Sequence, residues 1–376
     1  MKGFYYDTLL EAENICNLDR EKKILLDGAL SGKKLVVYGP RNFGKTSLVK
    51  NVVIPAFRGK KKKSFVLFAD LMEVKSLESI HQRIRSSFEK SFADSFPRQN
   101  LLNIAKQFLQ NLRPQVTLDP VTGQPSLSID AHSSPHERPF AEIFSVIGEK
   151  IAPEMPTLIV LDEFQDIAFV PEAQGIFRQV LQELKGIPII LMGSKRHILS
   201  KIFSQPAAPL ASFGEDVEFQ PIPYEEYHDY ILERFHQRKL NIHDDNAKTL
   251  QDALFRIPEA INIVCAHLYA TLHDETVEID QVYQAIDKAV EGRASRYESL
   301  LSLLSEKEEE VLQKIALQKV VPHPTGQEFL RTIHASQRSV KLIVDRFMDK
   351  SILEKTKDGY RISDPMLFYF LRKYRN

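Results

Sequence analysis

The chain lacks net charge: 50 Lys and Arg are matched by 50 Asp and Glu across 376 residues. That excludes a whole-chain basic field for nucleic acid, so any such surface must be local. Cysteine is scarce. Cys16 and Cys265 are the only two, too few for a disulfide framework or a four-ligand zinc site of the usual spacing. Both read as small apolar residues in a reducing compartment. Nowhere do about 18 apolar residues run together, so no segment is expected to span a membrane. The opening stretch, MKGFYYDTLLEAENICNLDREKK, has no long apolar run ahead of its charges, and so does not read as a secretory signal. The expected location is the cytoplasm, with no membrane partner. Internal repeats are absent, and so is low complexity, apart from the basic run Lys60–Lys63, which reads as a solvated loop.

What is present is ordinary for a globular protein: 43% hydrophobic and 27% charged residues. At roughly 150 residues per domain, two or three domains are expected. Short apolar runs fenced by turns recur. Lys34–Tyr38 (KLVVY), Ser64–Asp70 (SFVLFAD), Thr157–Leu161 (TLIVL) and Pro188–Met192 (PIILM) read as buried strands, with Val217–Phe219 a fifth. Helical periodicity fills the gaps at 46–53, 77–92, 100–112, 139–150 and 177–185. Such alternation predicts a parallel sheet covered on both faces, a three-layer αβα core whose ligand sits at the carboxyl ends of the strands. Between the second and third strands, Val116–Leu118 and Leu127–Ile129 flank Asp119-Pro120 and Thr122-Gly123, which suits a β-hairpin insertion over about 114–138. A surface loop without strands is an equal reading.

After Pro221-Ile222-Pro223 the strands are expected to stop. Four helices at 224–238, 245–256, 259–272 and 280–292, with Asp280 as a cap, suggest a helical lid over 222–292. A long helix to Leu304 and a second at 306–319 follow. Helices at 326–334 and 336–350 then precede a hairpin of 351–356 and 360–363 turning through Lys357-Asp358-Gly359. That order is the order of a winged helix. The expected division is 1–221, 222–292 and 293–376.

The strongest motif is Gly39-Pro40-Arg41-Asn42-Phe43-Gly44-Lys45-Thr46, which fits G-x-x-x-x-G-K-[ST] completely. Gly39 and Gly44 let the backbone turn its amides inward as an anion nest. The helix beginning at Thr46-Ser47 offers its positive end to phosphates. Lys45 supplies an ammonium for the β and γ phosphates, and the Thr46 hydroxyl a ligand for magnesium. Position matters as much as pattern, because the motif lies between a buried strand and a helix. Asp162-Glu163 closes the third strand. Asp162 is expected to hold magnesium and Glu163 to polarise the attacking water. Ser194, ending the fourth strand, suits contact with the γ-phosphate or that water, and suits an ordinary Gly-Ser turn as well. ATP and magnesium are the expected ligands of a P-loop NTPase.

These residues resemble the archaeal-type ATPase family, a branch within or near the AAA+ and signal-transducing NTPases. The resemblance rests on Leu18-Asp19-Arg20-Glu21, VVYGPRNFGKTSLVK, LIVLDEFQDI and ILMGS. It implies Leu18–Arg20 as nucleotide neighbours, with Arg20 beside the adenine, and a terminal winged helix. Two departures stand out. Family members commonly carry Leu-Tyr-Gly-Arg after the fourth strand, whereas this chain reads Ala208-Pro209-Leu210-Ala211-Ser212-Phe213-Gly214-Glu215, without an arginine. Lys195, Arg196 or an outside partner could supply that charge. In the lid, Phe255-Arg256-Ile257-Pro258 keeps the usual proline but not the usual glycine.

From Arg293 onward 16 Lys and Arg stand against 11 Asp and Glu, an excess of five. In a DNA-binding winged helix, Ser336, Gln337, Arg338 and Lys341 would open the recognition helix, with Lys355 and Lys357 on the wing. Asp345, Asp349 and Asp358 interrupt that surface, and a protein partner or a second copy of the chain is the other occupant such a module takes. The sequence therefore points to an ATP-driven switch coupled to a winged helix. A DNA-binding regulator that keeps ATP as a structural ligand, with little or no hydrolysis, is the second expectation. A small-molecule kinase fits poorly, since it leaves the C-terminal module unused.

Overall fold

A computed structural model describes residues 3–96, 104–105, 114–118, 125–129 and 140–375. Contacts divide the chain into two compact units, Leu18–Gln220 on one side and residues 1–17 with Pro221–Asn376 on the other.

The first unit is built on a five-stranded parallel sheet. Its strands are β1 (Lys34–Tyr38), β2 (Phe65–Asp70), β5 (Thr157–Asp162), β6 (Ile189–Gly193) and β7 (Glu215–Glu218), in the order β2-β5-β6-β1-β7. Every residue of β5 and β6 is buried, the signature of strands covered on both faces. Register is continuous across the centre, with Val160 opposite Ile190 and Val36 opposite Leu191. On one face Val36, Leu67, Ile159 and Leu191 share a core with Ile84, Phe88, Phe144 and Phe177. On the other, α1 (Asp19–Leu30) packs against β1 and β6. The sheet between helical layers is the expected αβα core.

The helix after β1 runs further than the periodicity suggests. It joins α2 (Lys45–Leu48) to α3 (Ile54–Lys60) through a π turn at Val49–Val53. Beyond α4 (Leu77–Ser95), the expected helix 100–112 lies outside the described residues except for 104–105. The hairpin forms: β3 (Pro114–Leu118) pairs antiparallel with β4 (Pro125–Ile129), Val116 facing Leu127. Glu89 of α4 anchors it by accepting the Ile129 amide at 2.7 Å. Helices α5 (Ala141–Val146), α6 (Ala173–Glu183) and α7 (Arg196–Phe203) complete the unit.

In the second unit, α8 (Tyr224–Phe235), α9 (Asp244–Ala253), α10 (Pro258–Thr271) and α11 (Ile279–Glu291) follow the expected order. The strands do not wholly stop. Asn241–Ile242 (β8) and Thr276–Val277 (β9) pair in parallel, each too short to carry a period. Asp280 does not cap α11. Glu278 does, in a reciprocal pair with Gln281, and Asp280 falls in the first turn. Residues 3–17 pack here, whereas the sequence assigned them to the core. Phe4 meets Tyr230, Phe235 and Tyr269 edge-on. Buried Arg234 donates to the carbonyls of Gly3 at 3.1 Å and Glu13 at 3.4 Å. Those partners lie more than two hundred positions apart, so no local pattern betrays them.

The C-terminal part contains α12 (Ala294–Leu301), α13 (Glu306–Gln318), α14 (Gln327–Leu330) and α15 (Gln337–Asp349). The wing β10 (Leu353–Lys355) and β11 (Tyr360–Ile362) and a last helix, α16 (Pro365–Tyr374), follow. The expected helix 326–334 is only the four residues of α14, and the helix expected to reach Leu304 ends at Leu301. Val321 bridges Tyr360 as a third strand-like segment. Val340, Ile343, Val344 and Phe347 make the buried face of α15, and Ser336 caps it by accepting the Ser339 amide. Among the described residues no helix is long and apolar enough to cross a membrane.

Candidate nucleotide-binding site

The carboxyl ends of β1, β5 and β6 lie side by side, and the residues singled out by the sequence gather there. After β1 the chain enters the phosphate loop. Asn42 (φ 63°) and Gly44 (φ 80°) turn the backbone through the left-handed region before the helix begins, a conformation that glycine adopts freely and asparagine tolerates. Gly39 is required for space: a Cβ there would meet the Cβ of Phe219 at 2.7 Å. Leu18, at the entry to α1, is buried, and its Cδ1 lies 3.8 Å from where a Gly44 Cβ would stand. The start of α1 therefore lines the loop. Arg20 is exposed and pairs with Glu21 at 3.5 Å. It has no ion pair or hydrogen bond with the loop among the described residues. Pro40 is half-buried, Arg41 exposed, and Phe43 and Ser47 buried.

Lys45 is buried, and its Nζ donates to the carbonyls of Gly39 at 2.9 Å and Pro40 at 2.7 Å. Burial pulls its ammonium down to about 8, against the opposing pull of the Glu163 and Asp162 carboxylates. A buried cation facing neutral carbonyls is suited to receive an anion. Thr46 Oγ1 donates to Asp162 Oδ2 at 2.7 Å, so hydroxyl and carboxylate meet beside the loop. These are hard oxygen donors, few in number, as suits magnesium held jointly with phosphates. Burial raises the Asp162 carboxyl to about 6, with the Thr46 hydrogen bond working the other way. Magnesium requires the carboxylate. Were ATP and magnesium held here with Asp162 as a ligand, any gain in ATP affinity from the metal would shrink by roughly tenfold per pH unit below about 6. Titrations with and without magnesium at about pH 7.5 and about pH 5 check this; equal gains at both remove Asp162 from the metal shell.

Glu163 follows with a left-handed backbone, φ 50° and ψ 37°. Ser194 Oγ donates to Glu163 Oε2 at 3.1 Å, so the ends of β5 and β6 are joined by the two residues expected to touch the attacking water. Sequence reasoning missed two partners. Gln165 and Asp166, both buried, sit beneath Glu163 in the 3-10 turn Phe164–Phe169. Asp166 accepts the Glu73 amide at 2.8 Å and pairs with Lys195 at 3.4 Å. The signal was in the string DEFQD, where polar residues interrupt a buried segment. Of the two cations considered for the phosphates, Lys195 is thus engaged by Asp166 and Arg196 by Glu218. Among the described residues, no group of three or more His, Cys, Asp or Glu gathers as a metal cage.

On the second unit, Ser336, Gln337, Arg338, Lys341, Lys355 and Lys357 are all exposed. Leu342, 63% exposed, shares that surface. Glu308 of α13 holds Arg346 of α15.

A family model described as a probable winged helix domain matches residues 295–373. No curated protein matches the chain in sequence. Solved structures match along its whole length. A Walker-type ATPase of Pyrococcus abyssi is 16% identical, covers 98% of this chain and 99% of its own, and superposes with a TM-score of 0.64. The Aeropyrum pernix ORC2 protein is 14% identical over 98% of this chain and 96% of its own, at 0.55. The Aeropyrum pernix ORC1 protein, solved in complex with DNA, is 12% identical over 100% and 98%, at 0.52. The chain shares the fold of these three proteins, and residues 295–373 match the winged helix family model.

Proposed function

We propose that this chain binds ATP with magnesium at Gly39–Ser47, hydrolyses it through Glu163, and works as a nucleotide-driven switch whose winged helix contacts DNA or a protein partner. One observation carries the reading: a buried ammonium, a hydroxyl–carboxylate pair and a second carboxylate converge at the ends of adjoining parallel strands. In that arrangement the loop amides and Lys45 grip the phosphates. Thr46 and Asp162 would hold magnesium, which when bound neutralises phosphate charge. Glu163 accepts a proton from water, and Ser194 steadies Glu163.

Contact with DNA draws support from the exposed Arg338, Lys341, Lys355 and Lys357 and from the shared fold with ORC1. ATP hydrolysis measured with and without DNA, at two salt concentrations, tests both halves of the proposal. Arg338→Ala with Lys341→Ala should weaken DNA binding roughly tenfold or more and lower the salt slope by about two. Unaltered DNA affinity in that variant assigns the module to a protein partner. Tight ATP binding with no phosphate release, DNA present or not, assigns ATP a structural role.

A further inference from the structure

Gln165 is fully buried, two positions after Glu163, and its amide is completely used. Nε2 donates to Glu163 Oε2 at 2.5 Å and to Asp166 Oδ1 at 3.2 Å, while Oε1 accepts the Ser194 amide at 3.2 Å. Only this orientation works, because the two carboxylates need a donor and the backbone N–H needs an acceptor. Ser194 Oγ donates to the same Glu163 oxygen. Two donors therefore converge on Oε2, and Oε1 has no protein donor among the described residues. Gly193 closes over the amide: a Cβ there would stand 2.0 Å from Gln165 Oε1. A buried amide fixed on every side, in a turn it shares with buried Phe164, Asp166 and Ile167, calls for a reason beyond packing.

We infer that Gln165 is the positioning residue of Glu163. With Ser194 it occupies Oε2, which leaves Oε1 facing the attacking water. The water O–H bond breaks and its proton passes to Oε1. The water oxygen bonds to the γ-phosphorus as the bond to the bridging oxygen breaks, giving ADP and inorganic phosphate. Gln165 touches none of these atoms. It fixes which carboxylate oxygen receives the proton and stops the side chain from turning away. This rests on the reading of Glu163 as the general base.

A double-mutant cycle on the full chain tests it. Gln165→Met keeps the shape and removes the donor. It should lower kcat at least tenfold, with KM and nucleotide Kd held within about twofold. Added to Glu163→Gln, where no base remains to be positioned, it should cost nothing further. An equal loss in both backgrounds makes Gln165 merely structural and overturns the inference, as does an unchanged kcat in Gln165→Met alone. Gly193→Ala displaces the same amide by steric pressure and must give the same cycle, which covers misfolding of Gln165→Met as judged by circular dichroism. If Glu163→Gln alone leaves kcat intact, the assignment of the base itself falls, a result distinct from either of the others.

Discussion

Lys45→Ala should lose ATP affinity by roughly a hundredfold, about 3 kcal/mol, and with it all measurable hydrolysis. The argument is electrostatic. Lys45 is buried, its charge is disfavoured there, and its nearest neighbours are neutral carbonyls and the two carboxylates beyond. A triphosphate tail gives that ammonium partners of opposite sign where little water screens them. Alanine leaves the loop amides but removes the only buried cation the loop provides. Arginine should not rescue it, since a planar fork does not fit a socket shaped for a compact ammonium. Equilibrium binding of a fluorescent ATP analogue is the measurement. Affinity equal to wild type would move the nucleotide out of this loop altogether.

Glu163→Gln should lower kcat by roughly 10²–10⁴, the range expected for loss of a general base, and leave ATP affinity nearly intact. ATP should then persist on the protein, readable as unhydrolysed nucleotide after gel filtration. The substitution is sterically mild. Its amide can still accept from Ser194 or Gln165, but it cannot take a proton from water. If turnover survives, the chain hydrolyses ATP by another route, or holds it without needing a base.

Most of the sheet was legible because a strand buried on both faces announces itself as an apolar run. TLIVL and PIILM could be little else, and the phosphate loop announces itself by spacing. Features that depend on distant partners stayed hidden. Arg234 looks like any helical arginine until Gly3 and Glu13 arrive beside it. The cap of α11 was misread because Asp280 is the commoner capping type, whereas Glu278 and Gln281 cap reciprocally. The region 326–334 read as a full helix, yet it holds a single short one, since apolar spacing over nine residues cannot distinguish one turn from two. At the strand ends, the sequence placed Asp162 and Glu163 after β5, but gave no sign of the contacts Gln165 makes. Its meaning comes from Ser194, supplied by another strand, and only the folded chain brings them together.

The left-handed backbone at Glu163 has a consequence for anyone seeking a hardier form of this protein. A side chain with a Cβ gives up roughly 1 kcal/mol or more to sit at φ 50°, and glycine or asparagine would rest there more easily. A screen rewarding heat resistance alone would drift toward those residues and discard the carboxylate. On the reading of Glu163 as the general base, robustness and turnover pull in opposite directions at this one place.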